Sequence, residues 1–452
     1  MNKKDFKHYM QQGIGRCVLH LQSSQDIEKY KDIVLWGCLH NLSYDTQCEG
    51  TRASYLYELT TFFHDEAYFL IPVITAFEKL PRNADWLFSH YCELLRRFAE
   101  NGNETAQNAL QKKYNQLLST LLNKRRWNGY DHERDNFERI CQTLSSLGGI
   151  DTLLKIADDM GYLFRNNPHY QENHFDWFCS SMDHGIGKKR LNAILSKESK
   201  KSENIDCFYQ NYLNALESFQ NIVRKSTEAL DVDTIKEEAQ STGSLSSSSR
   251  VRFSRHSDQE ERIKLIKEAL AETDLNIKAE LLSVFAFRDE NFPLAHETII
   301  AYSKSSHERL REVAFDILTN CQSQIVTEYA LSLLSHQEYK SYAIKMLLCN
   351  YTPKIKHLLL TELSEIKIDY EDTSDWHSIG GKILNVCDQN IRLPKEFFIY
   401  IYNTTLCSCC REYAIRALMK KRWLTREIIE ECRYDSNDKI SEYVNRYYPV
   451  KK

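Results

Sequence analysis

Hydrophobic positions recur along this chain at three- and four-residue steps, the spacing that lines one face of an α-helix. In SQDIEKYKDIVLWGCLHNL the stripe is Ile27, Tyr30, Val34 and Cys38, and Leu56, Leu59 and Phe63 continue it in the next segment. Asn83 is placed to cap DWLFSHYCELLRRFAENG, with Leu87, Tyr91, Leu94 and Phe98 inward and Gly102 as the stop. Asn103 then caps a second stripe of Leu110, Tyr114, Leu117 and Leu121, so the two segments predict an antiparallel helical hairpin. Polar sequence at 124–136 and a loop at 167–175 interrupt the series, and FYQNYLNALESFQNIVRK carries the first half to about residue 236. No segment alternates with a period of two. The pattern predicts an all-α chain.

The second half repeats itself. A seven-residue phrase occurs as EVAFDIL, SYAIKML, EYAIRAL and EYVNRYY, starting at 312, 341, 412 and 442, hence 29, 71 and 30 residues apart. The middle interval is close to two units with one degenerate copy between them, and a period of about 30–40 residues suits one helix pair. The small Ala admits a neighbouring helix backbone, and the Leu or Ile a turn away fills the groove. Between the halves, residues 240–257 (QSTGSLSSSSRVRFSRHS) carry no stripe and are rich in Ser, which reads as a flexible linker. The expected division is therefore a helical domain over 1–239, a linker over 240–257 and a repeat array over 258–452.

At these phrases the chain resembles the HEAT-repeat class of α-helical solenoids, most strongly over 300–448. That resemblance implies an α-α superhelix built from HEAT-like antiparallel helix pairs, with an extended concave surface suited to a large partner. The class includes scaffolds, transport receptors and a few nucleic-acid enzymes, so the fold alone does not fix function.

Composition narrows the picture. Only 14 Gly and 7 Pro in 452 residues mean few helix breakers. A net charge of −4 gives no global attraction to nucleic acid or anionic membrane, so such binding would need a local patch. The N-terminal MNKKDFKHYMQQGIGRC lacks an apolar stretch, and no window approaches the roughly 18 apolar residues of a membrane span. The expectation is a cytoplasmic protein without membrane contact. The 14 Cys are too dispersed for a disulfide framework, and Cys38, Cys92, Cys141, Cys321 and Cys349 fall on apolar faces as small packing residues.

Candidate chemistry is local. MDHGIGKKRLNAIL, residues 182–195, resembles the hairpin of helix-hairpin-helix nucleic-acid-binding modules. Gly185 and Gly187 would let a phosphate approach the backbone, and Lys188, Lys189 and Arg190 would supply counter-charge at a helix start. Leu191 departs from the small residue usual there, and the competing reading is a glycine-broken turn with a solvated basic face. MQQGIGRC at 10–17 is a partial echo without the continuing basic run. Lys124, Arg125, Arg126 and Trp127 form a second basic-aromatic cluster that could hold a phosphate and stack a base, or simply end a helix. Arg250, Arg252, Arg255 and His256 lie in the linker and would act only once ordered.

Cys407-x-Cys409-Cys410, with Cys387 and Cys432 nearby in sequence, fits zinc spacing poorly. His40 with His64-Asp65 is too short a pattern for a metal phosphohydrolase. The reading is therefore no catalytic residue, no metal and no cofactor. The leading expectation is a non-enzymatic scaffold or adaptor that binds a macromolecule, foremost a protein. The alternative is a nucleic-acid-binding or nucleic-acid-processing protein using 124–127 and 185–190.

Overall fold

The computed structural model describes residues 1–124, 132–167, 186–226, 229–287, 292, 295–366, 374–388 and 391–449. Its 77% helical content with no strand among the described residues makes the chain all-α. It divides into two compact units: Met1–Asn221 with Leu406–Glu412 and Leu424–Lys452, and Ile222–Thr405 with Tyr413–Trp423. This is not the division at 240–257 that composition suggested. Two C-terminal segments fold with the N-terminal half.

The first unit contains α1 (Lys3–Gln12), α2 (Arg16–Ser23), α3 (Lys31–Cys38), α4 (Thr46–Glu49), α5 (Ala53–Thr61), α6 (Glu66–Glu78), α7 (Asp85–Glu100), α8 (Glu104–Leu122), α9 (His132–Asn166), α10 (Lys188–Glu198) and the start of α11 (Glu203–Ser226). The α7–α8 hairpin forms as its pattern predicts. Asn103 Oδ1 accepts the Ala106 N–H at 2.9 Å, and Tyr91, Leu94, Phe98, Leu110, Tyr114 and Leu121 are buried. Helix α7 starts at Asp85 without a side-chain cap, so Asn83 does not cap it and Phe88 replaces Leu87 as the first inward residue. Cys38, Cys92 and Cys141 lie in the same core.

The second unit contains α12 (Val232–Thr242), α13 (Ser247–His256), α14 (Gln259–Ala271), α15 (Leu275–Ser283), α16 (His296–Tyr302), α17 (Glu308–Leu318), α18 (Gln324–Leu333), α19 (Lys340–Cys349), α20 (Lys356–Glu365), α21 (Ser374–Asp388) and α22 (Lys395–Thr404). Helices α14, α16 and α18 pack on α15, α17 and α19, and α15, α17, α19 and α21 follow one another in a single layer. Ala314 and Ala343 of the repeated phrase are buried at these contacts, as are Leu318 and Leu347. The small residue admits the neighbour and the large one closes the gap.

The Ser-rich stretch is structured. Ser246 Oγ accepts the Ser249 N–H at 3.1 Å and caps α13, Ser249 Oγ donates to Glu238 at 2.5 Å, and Phe253 is fully buried. A buried Phe253, a capping serine and the Arg250–Glu280 ion pair dock a ten-residue helix whose composition suggests a linker.

The chain's last described helices, α23 (Ser408–Lys420), α24 (Arg426–Cys432) and α25 (Asp438–Tyr447), carry the remaining two phrases. In the first unit, Arg411 Nε and Nη2 pair with Asp435 at 2.7 and 2.8 Å, with both side chains fully buried. Arg16 clamps Glu431 with two bonds of 2.7 and 2.9 Å, and the Ser436 N–H donates to the Gly13 carbonyl at 2.8 Å. A Cβ on Gly15 would lie 2.0 Å from the Glu431 carbonyl oxygen. The glycines of MQQGIGRC therefore serve backbone packing, and its cation is committed to Glu431.

Candidate anion-binding site

The layer of α15, α17, α19 and α21 carries an open cavity of about 480 Å³, to which α13 contributes Arg250. Its lining includes four cations, Arg250 from α13, Arg309 from α17, Lys345 from α19 and Lys382 from α21, against a single carboxylate, Asp316. Hydroxyls and amides of Ser283, Thr319, Asn320, Ser378 and Asn385 complete the polar wall, while Ala286, Val313 and Gly381 leave room.

Each charge is placed by packing. Glu280 is almost fully buried on α15, where Oε2 accepts from Arg250 Nη2 at 2.6 Å and Oε1 from Arg309 Nε at 3.1 Å. Burial alone would push its carboxyl up, but the Leu245 N–H and the two guanidiniums outweigh that and hold it below the ordinary carboxylate value. One carboxylate thus orients two arginines toward the cavity. Arg250 Nε is buried without a hydrogen-bond partner.

Lys382 is 5% exposed, and its ammonium donates to Asn320 Oδ1 at 2.7 Å. Lys345 Nζ lies 4.6 Å from the centre of the Tyr342 ring, which stacks on Phe315 at 4.8 Å. Asp316 titrates above the ordinary Asp value because burial outweighs the pull of Lys345 and Arg309. No hydrogen bond reaches its carboxylate among the described residues.

These residues were missed by reading basic clusters, yet a signal exists in the repeat. Asp316 and Lys345 hold the same place, fifth, in EVAFDIL and SYAIKML. The degenerate copy in the long interval is SIGGKIL at 378–384, beginning 37 residues after SYAIKML and 34 before EYAIRAL, with Gly380 at the Ala place and Lys382 fifth. The small residue faces the core at one place of the phrase, and the polar fifth place faces the cavity. A Cβ added at Gly380 or Gly381 would meet nothing within 4 Å. Arg250 is the one member of the 250–256 basic group that lines the cavity, and ordering of α13 puts it there.

The sequence-stated candidates lie elsewhere. Lys124 pairs with Glu133 at 3.0 Å; Arg125, Arg126, Trp127 and Gly185 lie outside the described residues. Gly187, at φ +88°, precedes α10, and Lys188, Lys189 and Arg190 are exposed on its first turn. Leu191 is fully buried, which explains a large residue there: it anchors α10 in the core.

His40 Nδ1 is engaged with the Trp36 carbonyl at 2.7 Å, while Asp65 caps α6 and pairs with Lys31 at 2.8 Å. At the start of α23 the Cys410 N–H donates to Cys407 Sγ at 3.4 Å, so that sulfur works as a helix cap.

No family model matches this chain, and no curated protein does. Among solved structures, a crystal structure of an engineered protein from the Northeast Structural Genomics Consortium aligns over 99% of this chain and 98% of that one, with 12% identity and a TM-score of 0.20.

Proposed function

We propose that this chain is a non-enzymatic helical-repeat binding protein that grips a protein partner by an anionic group received in the cavity of the second unit. The observation that carries the reading is the charge of the lining, four cations from four different helices against one carboxylate. The described lining has no His or Cys and only one acidic side chain, Asp316. A stack of helix pairs is also the kind of scaffold on which successive repeats present one side chain each to a shared ligand.

The test is fluorescence anisotropy with labelled acidic and neutral peptide pools against the full chain. Acidic pools should bind, weaken steeply with added salt, and lose affinity in Lys345→Glu. Equal binding of neutral and acidic pools, or an unchanged Lys345→Glu, counts against the reading.

A second reading has one observation behind it. Lys188, Lys189 and Arg190 are exposed on the first turn of α10, where free amides add to their attraction for a phosphate backbone. Replacing all three by Ala should abolish salt-sensitive DNA or RNA binding if that surface is used, and absence of such binding in the parent chain removes this reading.

A further inference from the structure

We infer that Cys407 and Cys410, in the first unit, form a redox-active dithiol that a hydroperoxide closes into a disulfide. The inference concerns a different set of residues from the anion-binding reading and does not depend on it.

The sequence CSCC holds two spacings at once. As Cys407-x-Cys409-Cys410 it fits zinc poorly, but Cys407-x-x-Cys410 places two thiols one helical turn apart. Helix α23 begins at Ser408, so Cys407 immediately precedes its first turn and Cys410 lies on it. The Arg411 N–H donates to the Cys407 carbonyl at 3.1 Å, which makes Cys407 the N-cap of that helix. The two sulfurs lie within 4.8 Å of one another. Side-chain rotation and a small shift of the helix's first turn bring them to bonding distance.

Two donors converge on Cys407 Sγ. The Cys410 N–H reaches it at 3.4 Å, and the Cys410 thiol donates to the same sulfur. A sulfur so placed at a helix start carries negative charge well, because the first-turn amides favour an anion. Cys410 is its complement: the bond to Cys407 and burial push its own pKa up, so it keeps its proton. One sulfur is set to attack and its neighbour to resolve the product.

Burial selects the oxidant. Cys407 is 4% exposed and Cys410 half-buried. A disulfide substrate must bring a bulky chain into line with the attacking sulfur, whereas hydrogen peroxide is little larger than water. The Cys407 thiolate attacks one peroxide oxygen, so an S–O bond forms while the O–O bond breaks and hydroxide leaves. The Cys410 sulfur then attacks the Cys407 sulfur: the S–S bond forms, the S–O bond breaks, and the departing hydroxide takes the Cys410 proton. Two thiols and one peroxide give one disulfide and two waters, and the two electrons lost by sulfur are gained by the peroxide.

Cys48 and Cys409 are the competing pair. Cys409 Sγ lies 3.8 Å from Cys48, but that contact is with the backbone oxygen, and the exposed Cys48 thiol is bonded to Asp45.

The experiment treats the reduced full chain with stoichiometric hydrogen peroxide, blocks remaining thiols by alkylation, and maps tryptic peptides by mass spectrometry. The fragment Glu396–Arg411 should lose two hydrogens, and dithiothreitol should restore them. The bridge should persist in Cys409→Ser and Cys48→Ser and be lost in Cys407→Ser and Cys410→Ser. Cys407→Ser keeps an oxygen at the helix cap, so its thermal melt should match the parent's. A bridge between Cys48 and Cys409, unbridged sulfinic acid, or no thiol loss overturns the inference. So does zinc that the purified chain retains and Cys407→Ser releases, because the metal would then hold the thiols.

Discussion

Arg250 donates through Nη2 to Glu280 Oε2 at 2.6 Å, and this contact ties a serine-rich helix to the repeat layer behind the basic cavity. The same carboxylate holds Arg309, so one buried acid on α15 sets the direction of two of the four cations.

Replacing Glu280 by Gln should destabilise the second unit by about 1.5–3 kcal/mol at pH 7, the range for hydrogen bonds to charged groups. The folded carboxyl lies below its ordinary 4.5, so its contribution is present above that pH and is lost as pH falls through the lowered folded value. Denaturant titrations of parent and variant should therefore differ at pH 7 and converge at acid pH. A constant gap would mean that the charge is not what matters.

His90 should make the first unit acid-sensitive. Its ring is fully buried, with Nε2 against the Cys38 carbonyl at 3.0 Å and Nδ1 unpartnered, and burial lowers its pKa from 6.5 to about 4. The unfolded chain takes up the proton first, so stability falls from pH 6.5 downward and the loss levels off below about 4. The full effect is roughly 3 kcal/mol. His90→Gln keeps a donor for Cys38 but cannot titrate, and its stability profile should be flatter over that window.

Gly15→Ala should cost about 1–3 kcal/mol in thermal or chemical unfolding. The added methyl would meet the Glu431 backbone oxygen, which cannot swing aside as a side chain would. Gly243→Ala is a useful contrast: nothing lies within 4 Å, so only the left-handed φ of +75° opposes it.

Trypsin should spare Arg250, Arg252 and Arg255 in the native protein, because all three sit on α13. Ser246→Ala removes the cap, costs about 1 kcal/mol, and should speed cleavage there, as read by mass spectrometry of early fragments. Early cuts in the parent chain at these sites would show that the helix opens freely.

The helical class, the α7–α8 hairpin and the Ala and Leu packing of the repeated phrase were legible in the sequence, because periodicity and small-residue spacing record which face of a helix is buried. The buried cysteines were legible for the same reason. The serine-rich stretch was not: composition registers the many polar positions and overlooks the buried Phe253 and the Arg250–Glu280 pair that hold the helix.

The site divides along the same line. The sequence by itself determined a cation or acid at the fifth place in three successive copies of the phrase, at Asp316, Lys345 and Lys382. Only the tertiary structure decided that these places share one cavity with Arg250 and Arg309, because stacking brings together side chains far apart in sequence and a buried Glu280 aims the two arginines. Local periodicity fixes which way a residue faces; what it faces depends on the neighbouring helix.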